Sequence, residues 1–66
     1  MIIYNRLWDT MKKKGISTYR LRESYGFNTK TIAKLRHNGT VTTQTLNKLC
    51  SILDCKLSDI AEYRED

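Results

Sequence analysis

Residues 28–37, N-T-K-T-I-A-K-L-R-H, decide how the chain is read, with Gly26-Phe27 leading in and Asn38-Gly39 closing the stretch. Placed on a helix at about 100° per residue, Ile32 and Leu35 fall together, while Lys30, Ala33, Lys34 and His37 share the opposite arc. One side fits a core and the other presents cations. A helix this short has little stability of its own, so the neighbouring segments must pack on Ile32 and Leu35 and turn the lysines outward.

The segment just before it carries the same start signal. Ile16-Ser17 with Leu21, and Phe27-Asn28 with Ile32, each place an apolar residue, an N-cap and a second apolar residue at the spacing of a hydrophobic staple. The pattern predicts a helix from Thr18 to Tyr25, a turn at Gly26 able to take a positive φ, and a second helix from Thr29. Two short helices joined by a glycine turn form a helix-turn-helix, here spanning about 17–37, whose second helix enters the DNA major groove.

Three further helices are expected around this pair. Tyr4, Leu7, Trp8 and Met11 have helical spacing, with Lys12, Lys13 and Lys14 at the negative end of the dipole and Gly15 as terminator. Ile2 and Ile3 are expected to cap the core from outside, and Trp8, beside the stripe, to be half-buried. After the hydroxyl-rich loop Thr40-Val41-Thr42-Thr43, the residues Leu46, Leu49, Cys50 and Leu53 mark a core helix with Ile52 beside them. A short last helix is read from Ser58, with Asp59 and Glu62 at its positive end and Ile60 reaching the core, before Glu65 and Asp66 fray. The expected fold is all-α, five helices in one domain over residues 1–66, the whole chain being the size of one small core.

Charge locates the partner. The net charge is +5, but residues 10–48 hold nine bases (Lys12, Lys13, Lys14, Arg20, Arg22, Lys30, Lys34, Arg36, Lys48) against the single acid Glu23, and the last thirteen residues are net negative. Such polarity attracts a polyanion to one face. Thr29, Lys30 and Lys34 are the expected base contacts, since lysine suits guanine O6 and N7 and Thr29 a thymine methyl. Ser17, Thr18, Arg36, His37, Asn38, Thr40, Thr42 and Lys48 are the expected sugar-phosphate contacts, which orient without specifying sequence. Arg20 and Arg22 are read as pairing with Glu23 or solvent.

Other classes find less support. His37, the single histidine, has no partners for catalysis or metal binding, so no enzyme, cofactor or metal centre is expected. Two cysteines, Cys50 and Cys55, are read as free thiols serving as small buried apolar residues of a reducing compartment. Met1-Ile2-Ile3 gives way at once to polar residues, so neither a leader nor a membrane span is expected and the protein is placed in the cytoplasm. The aromatics form no stacking platform for RNA.

Residues 16–39, I-S-T-Y-R-L-R-E-S-Y-G-F-N-T-K-T-I-A-K-L-R-H-N-G, resemble the helix-turn-helix of the lambda-repressor-like, Cro-type regulators at Leu21, Gly26, Phe27, Asn28, Thr31, Ile32 and Leu35. The likeness extends through Leu7-Trp8, Val41-Thr42, Leu46, Lys48-Leu49-Cys50, Leu53-Asp54-Cys55 and Asp59-Ile60-Ala61-Glu62 to a compact bacterial subfamily made of this domain alone. The resemblance implies base reading at Thr29, Lys30 and Lys34, phosphate contact at Thr18, and paired half-sites bound by a weak homodimer. The leading expectation is a sequence-specific regulator of transcription, most simply a repressor, acting on double-stranded DNA. The competing one is an antitoxin or other protein-interaction module whose DNA binding is autoregulatory. The sequence departs from the family at Thr18, where Gln is common, at Arg22 and Tyr25, where Ala is common, and at Arg36, where an acid often stands. Tyr25 must therefore turn its ring outward or deform the contact between the two helices.

Overall fold

The computed structural model describes residues 1–65. In chain order it comprises strand β1 (Ile2–Ile3), helices α1 (Asn5–Lys14), α2 (Thr18–Tyr25), α3 (Thr29–Arg36) and α4 (Thr43–Leu53), a 3-10 turn (Leu57–Asp59) and strand β2 (Glu62–Tyr63).

Four helices form where their end signals stand. The side-chain oxygens of Ser17, Asn28 and Thr42 accept the backbone N–H groups of Arg20, Thr31 and Thr45, so three of the four helix starts are capped by the side chains suited to it. Gly15 and Gly26 end α1 and α2 at φ of 70° and 73°, a left-handed conformation costly to any residue with a Cβ. At the end of α3 it is Asn38, at φ 55°, that turns left-handed, and Gly39 follows with its N–H on the Lys34 carbonyl at 2.7 Å. Asn shares this tolerance because its short polar side chain bonds locally.

Leu7, Leu21, Leu35, Leu49, Leu53 and Ile60 are completely enclosed, and Tyr4, Met11, Phe27 and Ile32 complete the core. All four helices thus contribute, together with Ile3 of β1 and Ile60 just after the 3-10 turn, which a domain of this size needs. Both staples close as spaced, with Ile16 half-buried against the core and Phe27 buried with Ile32. Tyr25 resolves its misfit by lying half-buried at the edge of the core as the last residue of α2. Cys50 and Cys55 are half-buried rather than enclosed, because they flank the left-handed corner at Asp54 where α4 ends.

The expected fifth helix does not form, so the small helical domain has four α-helices rather than five. The Asp59 carboxylate accepts the Lys56 N–H at 2.9 Å and closes a 3-10 turn of three residues, after which the chain extends. Glu62–Tyr63 then pairs antiparallel with Ile2–Ile3, in the register Ile2↔Tyr63 and Ile3↔Glu62. The alternation of a strand explains the N-terminus: Ile3 is 3% exposed and faces the core, while Ile2 is 46% exposed. Glu62 consequently serves no helix N-terminus and sits 3.6 Å from Arg6 and 3.8 Å from Arg64. Tyr4, expected in the first helical turn, is its N-cap residue and is still buried. The Thr10 hydroxyl donates to the Asp59 carbonyl at 2.6 Å, tying α1 to the 3-10 turn.

Candidate nucleic-acid interface

Helix α3 divides as its spacing requires. Ile32 and Leu35 are buried, and Thr29, Lys30, Ala33, Lys34, Arg36 and His37 are exposed. The Asn28 cap, with its Oδ1 2.7 Å from the Thr31 nitrogen, sets where the helix starts and so the angle at which Lys30 and Lys34 emerge. Ala33 between them leaves the exposed arc low enough for a duplex edge to approach.

The flank of α3 nearest α2 is organised by Arg36. Its guanidinium carbon lies 5.1 Å from the centroid of the Trp8 ring, and its Nη2 donates to the Thr18 hydroxyl at 3.5 Å. One side chain thereby touches α1, α2 and α3. The long side chain comes from α3 and meets a short threonine at the start of α2. The cation stays at the surface, beside the start of α2.

Between α2 and α3 an open hollow of about 360 Å³ is bounded by Thr18, Tyr19 and Arg22 on one side and Thr29, Ala33 and Arg36 on the other, with Ile32 at its base. Tyr19 is 64% exposed, and the Arg22 guanidinium lies 5.9 Å from its ring centroid. Arg22 thus leans on Tyr19, one helical turn back, a role that pairing with Glu23 does not describe. Helical period separates Leu21 from the exposed positions of α2 but does not rank those positions, and only the placement of α3 singles out Tyr19.

On the other flank, Thr31 and Lys34 of α3 face Thr40, Val41, Thr42 and Thr45 across a second hollow. The Thr42 hydroxyl accepts the Thr45 N–H at 3.1 Å, so its first duty is to cap α4. The Lys48 ammonium rests 5.0 Å from the centroid of the Phe27 ring, beside Asn28 and Thr31 at the start of α3. Ser17 caps α2, while Thr40 and His37 are exposed with no such duty in the fold. Asn38 is drawn inward, because its Oδ1 accepts the Tyr4 N–H at 2.8 Å and its Nδ2 is the donor left to face another group.

No group of three or more His, Cys, Asp or Glu among the described residues is placed to hold a metal ion, and no described helix is long and apolar enough to cross a membrane. Among the described residues, Asp9 and Glu23 on the helices that frame α3 are exposed and do not border either hollow.

Comparison with known proteins agrees with this geometry. The family model of the Cro/C1-type HTH DNA-binding domain matches residues 6–66. The chain also superposes on the crystal structure of the transcriptional regulator VanUg, Form II, with a TM-score of 0.88 and 32% sequence identity over 98% of this chain and 87% of that one. A search of curated proteins finds no match. With a helix-turn-helix at α2 and α3, cations outward on α3 and nearly its full length matched, the chain belongs to the family of Cro/C1-type helix-turn-helix DNA-binding domains.

Proposed function

We propose that this protein is a sequence-specific regulator of transcription, a repressor that occupies promoter DNA and competes with polymerase. The observation that carries the reading is the division of α3, whose buried Ile32 and Leu35 leave Lys30 and Lys34 on the outward arc. Thr29, Lys30 and Lys34 read base edges in the major groove. Ser17, Thr18, Arg36, His37, Thr40, Thr42 and Lys48 hold the sugar-phosphate strands on either side, with Asn38 adding its Nδ2. The likeness to a transcriptional regulator supports the regulatory role.

Affinity comes mainly from released counterions, so log K falls with log salt by about 0.9 per phosphate neutralised. The protein acts in the cytoplasm as a single domain and pairs weakly on DNA, with half-sites about 34 Å apart. Ile60, Ile3 and Trp8 are buried or covered by Arg36, whereas Ile2 and Tyr63 of the two strands are exposed, with Met1 and Leu57, and offer apolar surface for such pairing.

The test is binding of the purified protein to the DNA upstream of its own gene and to a random duplex of equal length, at two salt concentrations, for wild type and Lys30→Ala. Preference for the upstream DNA, lost in Lys30→Ala, is the expected result. Equal affinity of wild type for both duplexes sinks the regulator reading and favours a protein-binding role.

A further inference from the structure

We infer that Tyr19 and Arg22 form a second DNA-contacting unit on α2, a clamp for one deoxyribose and its phosphate on the strand flanking the groove that α3 reads. This rests on the DNA-reading role proposed for α3 and adds residues outside that helix and its caps. An exposed tyrosine alone is ordinary on a protein surface. Its setting here is not: the ring borders the hollow between α2 and α3, 64% exposed, with the Arg22 guanidinium 5.9 Å from its centroid and Arg36 also bordering the hollow.

The chemistry of the hollow selects the occupant. Its border carries two guanidinium groups, the hydroxyls of Thr18, Tyr19 and Thr29, and no carboxylate, so it suits an anion bearing several acceptor oxygens. Its base is the apolar edge of Ile32 and Ala33, and the tyrosine ring adds a flat apolar wall against which a sugar can lie. A phosphate joined to a deoxyribose satisfies both halves. The position agrees as well, because Thr29 and Ala33 are shared between this hollow and the arc of α3 that faces the bases. Stacking on Tyr19 holds the Arg22 guanidinium beside the hollow before DNA arrives, which lowers the ordering cost of the contact.

A backbone contact and a base contact leave different signatures. A backbone contact weakens all sequences alike and reduces the salt slope, whereas a base contact alters preference. The experiment measures fluorescence anisotropy of the upstream duplex and a random duplex across a salt series for wild type, Arg22→Gln, Tyr19→Phe and Tyr19→Ala. All four proteins are checked by circular dichroism, the two side chains being exposed. Arg22→Gln is expected to lower the salt slope by about 0.9 and to weaken both duplexes by the same factor. Tyr19→Ala is expected to weaken both duplexes several-fold and Tyr19→Phe by less, since the ring remains.

An unchanged slope in Arg22→Gln, or a loss confined to the upstream duplex, overturns the clamp while leaving the reading of α3 intact. Wild type that binds neither duplex, or both equally with no effect of Lys30→Ala, overturns the α3 reading first and the clamp with it. Retained DNA binding in all variants, with loss of a co-purifying protein in Tyr19→Ala, would assign the hollow to a protein partner and reject the clamp.

Discussion

The Oδ1 of Asn38 accepts the backbone N–H of Tyr4 at 2.8 Å, joining the loop after α3 to the start of α1 across 34 residues of sequence. Asn38 holds this bond from a left-handed backbone at φ 55°, so two separate demands fall on one residue. Asn38→Ala is expected to lose both, at about 1–3 kcal/mol for the orphaned amide and ~1 kcal/mol for the backbone. Asn38→Gly keeps the backbone freedom and loses only the bond. Urea unfolding should rank wild type above Asn38→Gly above Asn38→Ala, and equal midpoints for the two variants would show that the backbone conformation costs nothing.

The ribbon of β1 and β2 makes adjacent isoleucines unequal. Ile3 is 3% exposed and Ile2 46%. Ile3→Ala should cost about 2–5 kcal/mol by leaving a cavity, and Ile2→Ala within about 0.5 kcal/mol. Chemical denaturation of the two variants side by side decides it. Similar losses would mean that the N-terminus caps the core without strand register.

Arg36 spans Trp8 and Thr18, and its replacement should be seen first in the tryptophan. Arg36→Ala is expected to change the emission of Trp8, to cost under about 1 kcal/mol because the pair is at the surface, and to weaken DNA binding. Arg36→Lys restores the charge but not the planar stack, so affinity should recover further than fluorescence does. Emission identical to wild type in Arg36→Ala would deny the stack in solution.

Burial, reinforced by the neighbouring Cys50 thiol, raises the Cys55 pKa above its ordinary value, with Asp59 adding to the rise and Lys14 opposing it. The folded state therefore holds the thiol proton more tightly than the unfolded chain does. The stabilisation is complete below the unfolded pKa and fades as pH climbs through the folded one. Thermal melts in reductant should show the stability gap between wild type and Cys55→Ala narrowing on the alkaline side. A gap independent of pH would mean that Cys55 ionises equally in both states.

Much of this molecule was legible because its signals are local. Ser17 and Asn28 each announce a helix as a side-chain cap between two apolar residues at staple spacing, and Gly15 and Gly26 end helices for a steric reason. Lys30 and Lys34 opposite Ile32 and Leu35 follow from helical period alone. The ribbon was not legible, because two-residue strands have no period to detect and Ile2–Ile3 meets Glu62–Tyr63 from the far end of the chain. The last segment reads as helix from Asp59 and Glu62 until that pairing is known. Asn38 was legible only in part: an amide in a basic loop reads as a phosphate contact, and only the return of Tyr4 shows the bond that its Oδ1 holds. The hollow beside Tyr19 is likewise tertiary, made by setting α2 against α3.

The ribbon also orders the folding reaction. The caps and turns of α2 and α3 close through contacts near in sequence, which form fast, whereas the Met1 amino group meets the Arg64 carbonyl across 63 residues. Loop-closure entropy makes such a pairing unfavourable until the helices have brought its ends together. The two strands therefore zip last and open first, so amide exchange at Arg64 should run ahead of exchange within α4. A brief opening there frees Ile3 while α3 keeps its place in the core with Leu21 and Leu49.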